Sequence, residues 1–583
     1  LTLLAHRVLN DLGTRVGIST LADIKTVDKR VADEGWSFLS ITLAQFAKDF
    51  ERSLDQSEVT HDLFLGFSKW GSLPRFLGGF FELIFDRSTG ALLPNYSIDA
   101  IYAIRQFTGM WSKIKVECSD DRNNAAFEEY FASEEAVKEA DRERSEDDLF
   151  EFTYVSQLLF RNMFSQLDQV IYEEDVLPKH GPGSTAQGIL GNKKFLCDVW
   201  TERLENIFPA RRYLASSYTL SFDRALVWLA PALEIPVKVI LVPKTVKTPR
   251  IIAKEPVHMQ YMQQAILEQI VEHTLRDNLL SMFISFDNQE PNQFLAMEGS
   301  LVGDLATLDL SAASDRVSNQ LVRAMTQRWP HLYEALQATR SQKADVNGKV
   351  VRLAKYASMG SALCFPIEAF VFLTLVFVGI QRAKGTRLTV KDIKSFDGSV
   401  RIYGDDIIAP IDYVHEIIAV LQSFGLKVNS NKSFWTGGFR ESCGKEYFRG
   451  YDVSIVKLRT MFPTRSTHVE EIVSLSAFRN LAQSHSLFST VEFLDEWIMG
   501  IIPYPFVLET SSVLGRISLD GHYDVHSWDP KLQRPLVKGM KQVDSLPSDP
   551  LDGAAALLKF FLKRGDKPLS QGHLERAGRP SSV

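Results

Sequence analysis

The chain has 583 residues, far longer than one average domain, so several subdomains around more than one core are expected. An apolar share of 45% excludes wholesale disorder, and four scattered cysteines with no CxxC pair exclude a disulfide framework and favour a reducing compartment. The net charge of −7 excludes a uniformly basic coat, which leaves nucleic-acid contact to local clusters of positive charge.

The N-terminal stretch LTLLAHRVLNDLG has a short apolar run with no basic region ahead of it, so no signal peptide is expected. Residues 1 to about 170 read as mainly helical, and in GWSFLSITLAQFAKDFERSL (35–54) the residues Phe38, Leu39, Phe46 and Phe50 fall on one helical face. The stretch 117–148 is strongly acidic and poor in large aliphatics, which reads as a solvated helix or mobile surface excursion. KHGPGSTAQG (179–188) reads as a connecting loop whose backbone N–H groups could approach phosphates. VKVILVPKTVKTPRIIAKEP (237–256) alternates apolar and basic residues as two short strands or a hairpin would. It gathers Lys238, Lys244, Lys247, Arg250 and Lys254 with no acidic residue before Glu255.

From about 300 to 460 strand and helix mix. LATLDLSAASDRVSNQLVRAM reads as a strand ending near Asp309, a turn of small residues, then a helix, and VNGKVVRL (346–353) as a hairpin on an Asn-Gly turn. ALCFPIEAFVFLTLVFVGI (362–380) has the length of a bilayer span. It carries Pro366 and Glu368, however, and an ionised Glu at a bilayer centre costs roughly 2.5–3.5 kcal/mol, so a buried core helix and no membrane are expected. VHEIIAVLQSFGLKVN (414–429) reads as a helix stopped by Gly425 and followed by a strand, and the remainder to 583 as largely helical with a polar tail.

VRIYGDDIIAP (400–410) sets Asp405 and Asp406 side by side in an apolar stretch, with Gly404-Asp405 suited to a two-residue turn between buried strands. An exposed turn would account for a bare GDD; the strand context points elsewhere. Asp309, at another strand end, is the natural companion. Like charges ~4 Å apart repel by ~4 kcal/mol at an effective dielectric of about 20, and a divalent cation attracts each carboxylate about twice as strongly. Adjacent aspartates therefore point to a Mg²⁺ site of hard oxygen ligands.

YGDD (403–406) and DLSAASD (309–315) resemble motifs C and A of viral RNA-dependent RNA polymerases. The ordered set HGPGST (180–185), DNQEPNQ (287–293), LDLSAASDRVS (308–318), SMGSALCFPIE (358–368) and FRESCG (439–444) resembles more narrowly the replicases of single-stranded RNA bacteriophages, the Qβ-like leviviruses. The resemblance implies an α+β right-hand polymerase with fingers, a palm of antiparallel sheet and helices, and a helical thumb. The expected division is 1–240 for the mainly helical N-terminal and fingers region, 241–300 for the basic hairpin and connection, 301–460 for the palm, and 461–583 for the thumb.

It further implies RNA-templated RNA synthesis from rNTPs with two Mg²⁺ ions, for which Mn²⁺ can substitute. Asp309 and Asp405 are the expected principal metal ligands, with Asp406 a nearby or weaker one. Glu441 in FRESCG is either an additional carboxylate or a structural ion-pair partner of Arg440 or a lysine. Lys244, Lys247 and Arg250 match the motif that grips the triphosphate. Ser314 and Asp315 match the ribose-recognising region, with capping of the following helix as the competing reading. Ser358 and Gly360 match the start of motif B, although Cys364 and Glu368 stand where the broader viral pattern has Thr and Asn. This leaves a packing role for Cys364, and for Glu368 a hydrogen bond with Asp315 if one of the two is protonated. Lys432 matches a lysine that protonates departing pyrophosphate; an exposed strand lysine is its other reading.

The implied partners are single-stranded RNA template and product, host elongation factors Tu and Ts and a ribosomal protein, in the cytoplasm of an infected bacterium. Two rivals stand. A reverse transcriptase is disfavoured by the small Ser311, Ala312 and Ala313 after Asp309, and a catalytically silent RNA-binding protein by the intact aspartates.

Overall fold

The computed structural model describes residues 1–216, 226–545, 548–564 and, for the backbone, 579–582. Helices α1 (Thr2–Val16), α2 (Leu21–Glu34), α3 (Leu43–Gln56) and α4 (Ile98–Gly109) lead the chain, followed by α5 (Asp120–Glu143) and α6 (Glu146–Tyr172). Helix α6 starts where the sequence signals it: Ser145 and Asp148 form a reciprocal capping box that satisfies backbone N–H groups of the first turn. Phe38, Leu39, Phe46 and Phe50 are all buried, although Phe38–Thr42 is a short π-helical turn ahead of α3.

The basic segment forms the expected antiparallel hairpin, β1 (Val237–Val242) with β2 (Arg250–Lys254), and leads into α7 (Val257–Arg276) and α8 (Glu290–Val302). Next come β3 (Leu305–Leu308), α9 (Asn319–Thr326), α10 (Pro330–Thr339) and the hairpin of β4 (Lys343–Val346) with β5 (Lys349–Arg352) on its Asn347-Gly348 turn. Strand β4 runs parallel beside β1, giving a four-stranded sheet ordered β2-β1-β4-β5. The long apolar helix α11 (Cys364–Lys384) is buried in the protein core, as its Glu and Pro suggested. Then follow β6 (Arg401–Tyr403), β7 (Asp406–Pro410), α12 (Val414–Ser423), β8 (Phe439–Ser442), β9 (Lys445–Phe448), α13 (Val469–Ser484) and α14 (Phe488–Met499).

Strands β6, β7 and β3 form an antiparallel sheet in that order, with Tyr403 opposite Asp406 and Ile407 opposite Leu308. Its residues Ile402, Ile407, Leu308 and Ala306 join the core built on α11, α12 and α6. A second large core unites the two ends of the described chain: residues from Leu4 to Ile114 pack with residues from Phe434 to Tyr504. The α+β expectation therefore holds, with mixed sheet and helix around two main cores.

Three local expectations are corrected. The acidic stretch is an ordered helix, α5, and it buries Tyr130, Glu134 and Val137, so it is not simply a solvated excursion. No strand directly follows Gly425; the chain instead makes isolated bridges, Val428 with Leu310 and Phe434 with Thr307, as it wraps round the end of β3. Past Met499 the described chain is mostly irregular, with a few short strand pairs such as Phe506–Val507 with Arg516–Ile517 and a single further helix at Gly553–Leu562. Prolines and glycines interrupt that region every few residues and leave runs too short for helices.

Candidate active site

Strand β3 is buried at every position and carries Asp309 just beyond its end. The register that puts Ile407 opposite Leu308 brings the next residue along, Asp406, level with Asp309 on the neighbouring strand. The β6–β7 turn is built from Gly404 and Asp405. Gly404 has φ 60, and a Cβ there would lie 2.3 Å from Phe365 Cε2 at the start of α11, so only glycine fits the turn against that ring.

The segment after α12 holds Asp309 in place. The Asn429 backbone N–H donates to the Asp309 carbonyl (2.8 Å), and Asn429 Nδ2 donates to Asp309 Oδ2 (2.7 Å). The Asp309 N–H donates to Ser433 Oγ (3.1 Å), and Lys432 Nζ stands 3.5 Å from Asp309 Oδ1. Asp406 Oδ2 accepts from the Cys443 N–H (3.1 Å) in the β8–β9 turn.

Burial, Asp405 and Glu441 push the Asp406 carboxyl up to about 7. Loss of hydration and then Asp309 raise Asp405, while Lys432 and Lys244 pull it back. Glu441 is raised by burial and lowered most by Lys432. Lys432 in turn is held above its ordinary range chiefly by Glu441, against desolvation, with Asp309, Asp406 and Asp405 adding to it. Lys432 is thus the cation that acts most strongly on Glu441, while the Arg440 guanidinium donates to the carbonyls of Leu305, Gly437 and Phe439.

The donor set suits a hard divalent cation, being carboxylate oxygens at strand ends. Among the described residues, however, no three of His, Cys, Asp or Glu are grouped tightly enough to hold a metal ion. Mutual repulsion keeps unneutralised carboxylates apart, and here the Lys432 ammonium supplies the nearby positive charge. The carboxylates form an open arrangement, which a bound cation would have to draw together.

Lys244, on the β1–β2 loop, is lowered by desolvation, Arg250 and Lys432, and raised by Asp405 and Asp309, so its charge faces the carboxylates. Lys247 and Arg250 are exposed on the same hairpin. The loop is anchored from the start of the acidic segment, where Arg122 Nη1 donates to the Val246 carbonyl (2.6 Å) and Cys118 Sγ to that of Thr245 (3.3 Å).

Ser314 is buried at the start of a 3₁₀ turn, Ser314–Arg316, and the cap of α9 is Ser318, so neither Ser314 nor Asp315 caps that helix. Asp315 Oδ1 instead accepts from Lys355 Nζ (2.9 Å). Glu368 makes no bond to Asp315. It is buried and raised well above the ordinary carboxyl range by burial, Asp405 and Asp315, and its Oε2 has no hydrogen-bond partner. Cys364 is buried beside Ser314. Ser358 shares a hydrogen bond with the Tyr130 hydroxyl (3.0 Å). Gly360, at φ 130, lets its loop lie against β2, where a Cβ would come within 2.0 Å of the Ala253 carbonyl oxygen.

Sequence reasoning missed Lys355, Asn429 and Lys113. Lys113 lies near Lys244, Lys457 and Lys432, and burial with those cations lowers it to about 8, which extends the positive wall of the site from the N-terminal region. Lys355 carried a signal, a charge within the apolar run LAKYAS, of the same kind that drew attention to Asp405.

Residues 233–467 match the model of a family described as RNA replicase, beta-chain. The RNA-directed RNA polymerase beta chain of Enterobacteria phage fr is 38% identical over 215 residues, covering 37% of this chain and 36% of the relative. That of Escherichia phage MS2 is 37% identical over 215 residues, with the same coverage of each chain. The RNA-directed RNA polymerase subunit beta of Escherichia virus Qbeta is 38% identical over 224 residues, covering 38% of this chain and 35% of that one. The matched part thus spans little more than a third of each relative's length. Over residues 233–467, which include the strand-end aspartates and the basic hairpin, the chain is similar to the RNA replicase beta chains of single-stranded RNA phages.

Proposed function

We propose that the chain is an RNA-directed RNA polymerase that copies single-stranded RNA from rNTPs, serving phage genome replication and transcription. One observation carries this reading: Asp309 and the Asp405–Asp406 turn come together at the ends of hydrogen-bonded strands, facing Lys244 and Lys432. The family match of the segment that contains them supports it.

Asp309 and Asp405 would hold the divalent cations, Mg²⁺ or Mn²⁺ in its place, with Asp406 beside them. When bound, the cations supply Lewis-acid activation of the attacking 3′-hydroxyl and stabilisation of the pyrophosphate. Lys244, Lys247 and Arg250 bind and orient the triphosphate by charge-assisted contacts, and Lys113 extends that wall. Lys432 starts fully charged between Glu441 and Asp309, so it can give a proton to the leaving group once its carboxylate partners are otherwise engaged. Ser314, Asp315, Ser358 and Gly360 border the sugar and base. The small Ser311, Ala312 and Ala313 after Asp309 leave room for a 2′-hydroxyl, which favours ribonucleotides over the deoxynucleotides of a reverse transcriptase.

On this reading 301–460 is the palm, the segments before it supply fingers and 461–583 the thumb. Primer-independent initiation at the template 3′ end, and partnership with elongation factors Tu and Ts and a ribosomal protein in the bacterial cytoplasm, belong to the same proposal. The beta-chain description of the relatives supports a multi-subunit enzyme. The test is incorporation of labelled rNTPs on RNA templates by the purified chain, alone and with those host proteins.

A further inference from the structure

Lys355 is completely buried, yet nothing in the reaction outlined above uses it. Its ammonium lies 2.9 Å from Asp315 Oδ1, 3.2 Å from Glu134 Oε1 and 3.4 Å from the centre of the Tyr130 ring. A buried cation is costly unless its partners are well placed. Burial works against the Lys355 charge, but Asp315, Tyr130 and Glu134 outweigh it and hold the ammonium firmly protonated.

The backbone around Lys355 is fixed to the segment just beyond Asp315. The Asn319 N–H donates to the Ala354 carbonyl (3.0 Å), the Tyr356 N–H to that of Val317 (2.8 Å), and Ser318 and Lys355 form a β-bridge. From the other side, the Arg340 guanidinium donates to the carbonyls of Leu353, Lys355 and Tyr356. Glu134 Oε2 accepts from the Ala354 N–H (2.8 Å). Tyr130, which covers the ammonium, also bonds Ser358 in the Gly360 loop. One face of the acidic helix α5 therefore braces two parts of the site at once.

We propose that Lys355, seated on Tyr130 and Glu134, is a positioning residue that sets sugar selectivity by holding the Asp315 carboxylate in one orientation. Among the described residues, Lys355 makes the one side-chain hydrogen bond to the Asp315 carboxylate. With Oδ1 committed to a cation, the other oxygen has no side-chain hydrogen-bond donor among the described residues and can act as an acceptor. A ribose hydroxyl can donate to it, whereas a deoxyribose leaves it desolvated and unpaired, and that contrast is what rejects the wrong sugar. Without Lys355 the Asp315 carboxyl is free to rotate, and the contrast fades.

This inference rests on the polymerase reading, and the experiment separates the two. Incorporation of rNTPs and 2′-deoxy NTPs is compared for the full chain, with its host proteins if they are needed, in wild type, Lys355→Met and the double variant Lys355→Met with Glu134→Gln. The double variant removes one buried carboxylate along with the cation, so it keeps the test open if the single variant does not fold. The expected result is a fall in the rNTP/dNTP ratio of kcat/KM by about tenfold or more, arising mainly from a higher KM for rNTPs with little change for dNTPs. Equal losses for both sugars in the folded variants would overturn the inference and leave Lys355 a structural residue. A wild type that makes no RNA would instead overturn the polymerase reading, and this inference with it.

Discussion

Lys432 Nζ lies 3.5 Å from Asp309 Oδ1, so a side-chain ammonium already pairs with one of the strand-end carboxylates. On the proposed function a divalent ion would compete with it for the same oxygens. Replacing Lys432 with Met is expected to tighten Mn²⁺ binding by about fivefold, a modest gain because Lys432 is nearly half exposed and its charge is partly screened. The same change should lower kcat if Lys432 donates the proton. Calorimetric titration of the purified variant checks the first effect, and unchanged or weaker binding would show that Lys432 is not a competitor.

The Gly404 turn gives a second expectation. Alanine there must adopt φ 60 and place its Cβ 2.3 Å from the Phe365 ring, so the turn or α11 has to shift. Gly404→Ala should cost about 1–3 kcal/mol of stability and reduce polymerisation more than that loss alone explains, since Asp405 moves with the turn. Thermal unfolding and rate measurements at a temperature where the variant is fully folded distinguish the two effects.

Glu255 gives a pH dependence away from the carboxylate cluster. Burial raises its carboxyl from 4.5 to about 7, while hydrogen bonds from Ser341 and Gln263 work the other way. Between those values the folded chain holds a proton that the unfolded chain has released, so stability falls as pH rises through this window. Glu255→Gln keeps an acceptor for Ser341 and removes the titration. The variant is expected to match wild type near pH 4.5 and to exceed it by about 3 kcal/mol above pH 7. Denaturant melts at several pH values check it; parallel curves for the two proteins would contradict it.

Arg440 links β8 to the start of β3. Its buried guanidinium satisfies the carbonyls of Leu305, Gly437 and Phe439 and lies 3.7 Å from Asp55 in α3. Arg440→Met should therefore destabilise the protein by about 3–5 kcal/mol, because it strands several buried acceptors and removes the positive charge beside Asp55, whose carboxylate keeps its bonds from Thr436 and Gly437. Equilibrium unfolding measures this directly, and a loss below about 1 kcal/mol would show that water or relaxation replaces those bonds.

The strand-end aspartates were legible because a charge set within β-forming apolar residues has few inexpensive explanations. The basic hairpin was legible for the converse reason, a run of cations in an acidic chain. The role of α5 was not. Its buried residues, Tyr130, Glu134 and Val137, make a narrow stripe among acidic neighbours, and the group they enclose, Lys355, is distant in sequence. Nor does any local pattern announce that residues from Leu4 to Ile114 share a core with Phe434 to Tyr504, since each half shows only an apolar face with no label for its partner. That Lys432 is the cation acting most strongly on Glu441 also depended on where the chain turns after α12, which propensity alone misassigned to a strand.

The central claim is that Asp309 and Asp405 hold the cations for RNA-templated nucleotide addition. The most direct measurement is labelled rNTP incorporation on an RNA template, with Mg²⁺ titrated, by wild type and Asp405→Asn under conditions where both are folded. The account expects cation-dependent RNA synthesis by wild type and loss to background in Asp405→Asn. Equal synthesis by the two proteins would contradict it.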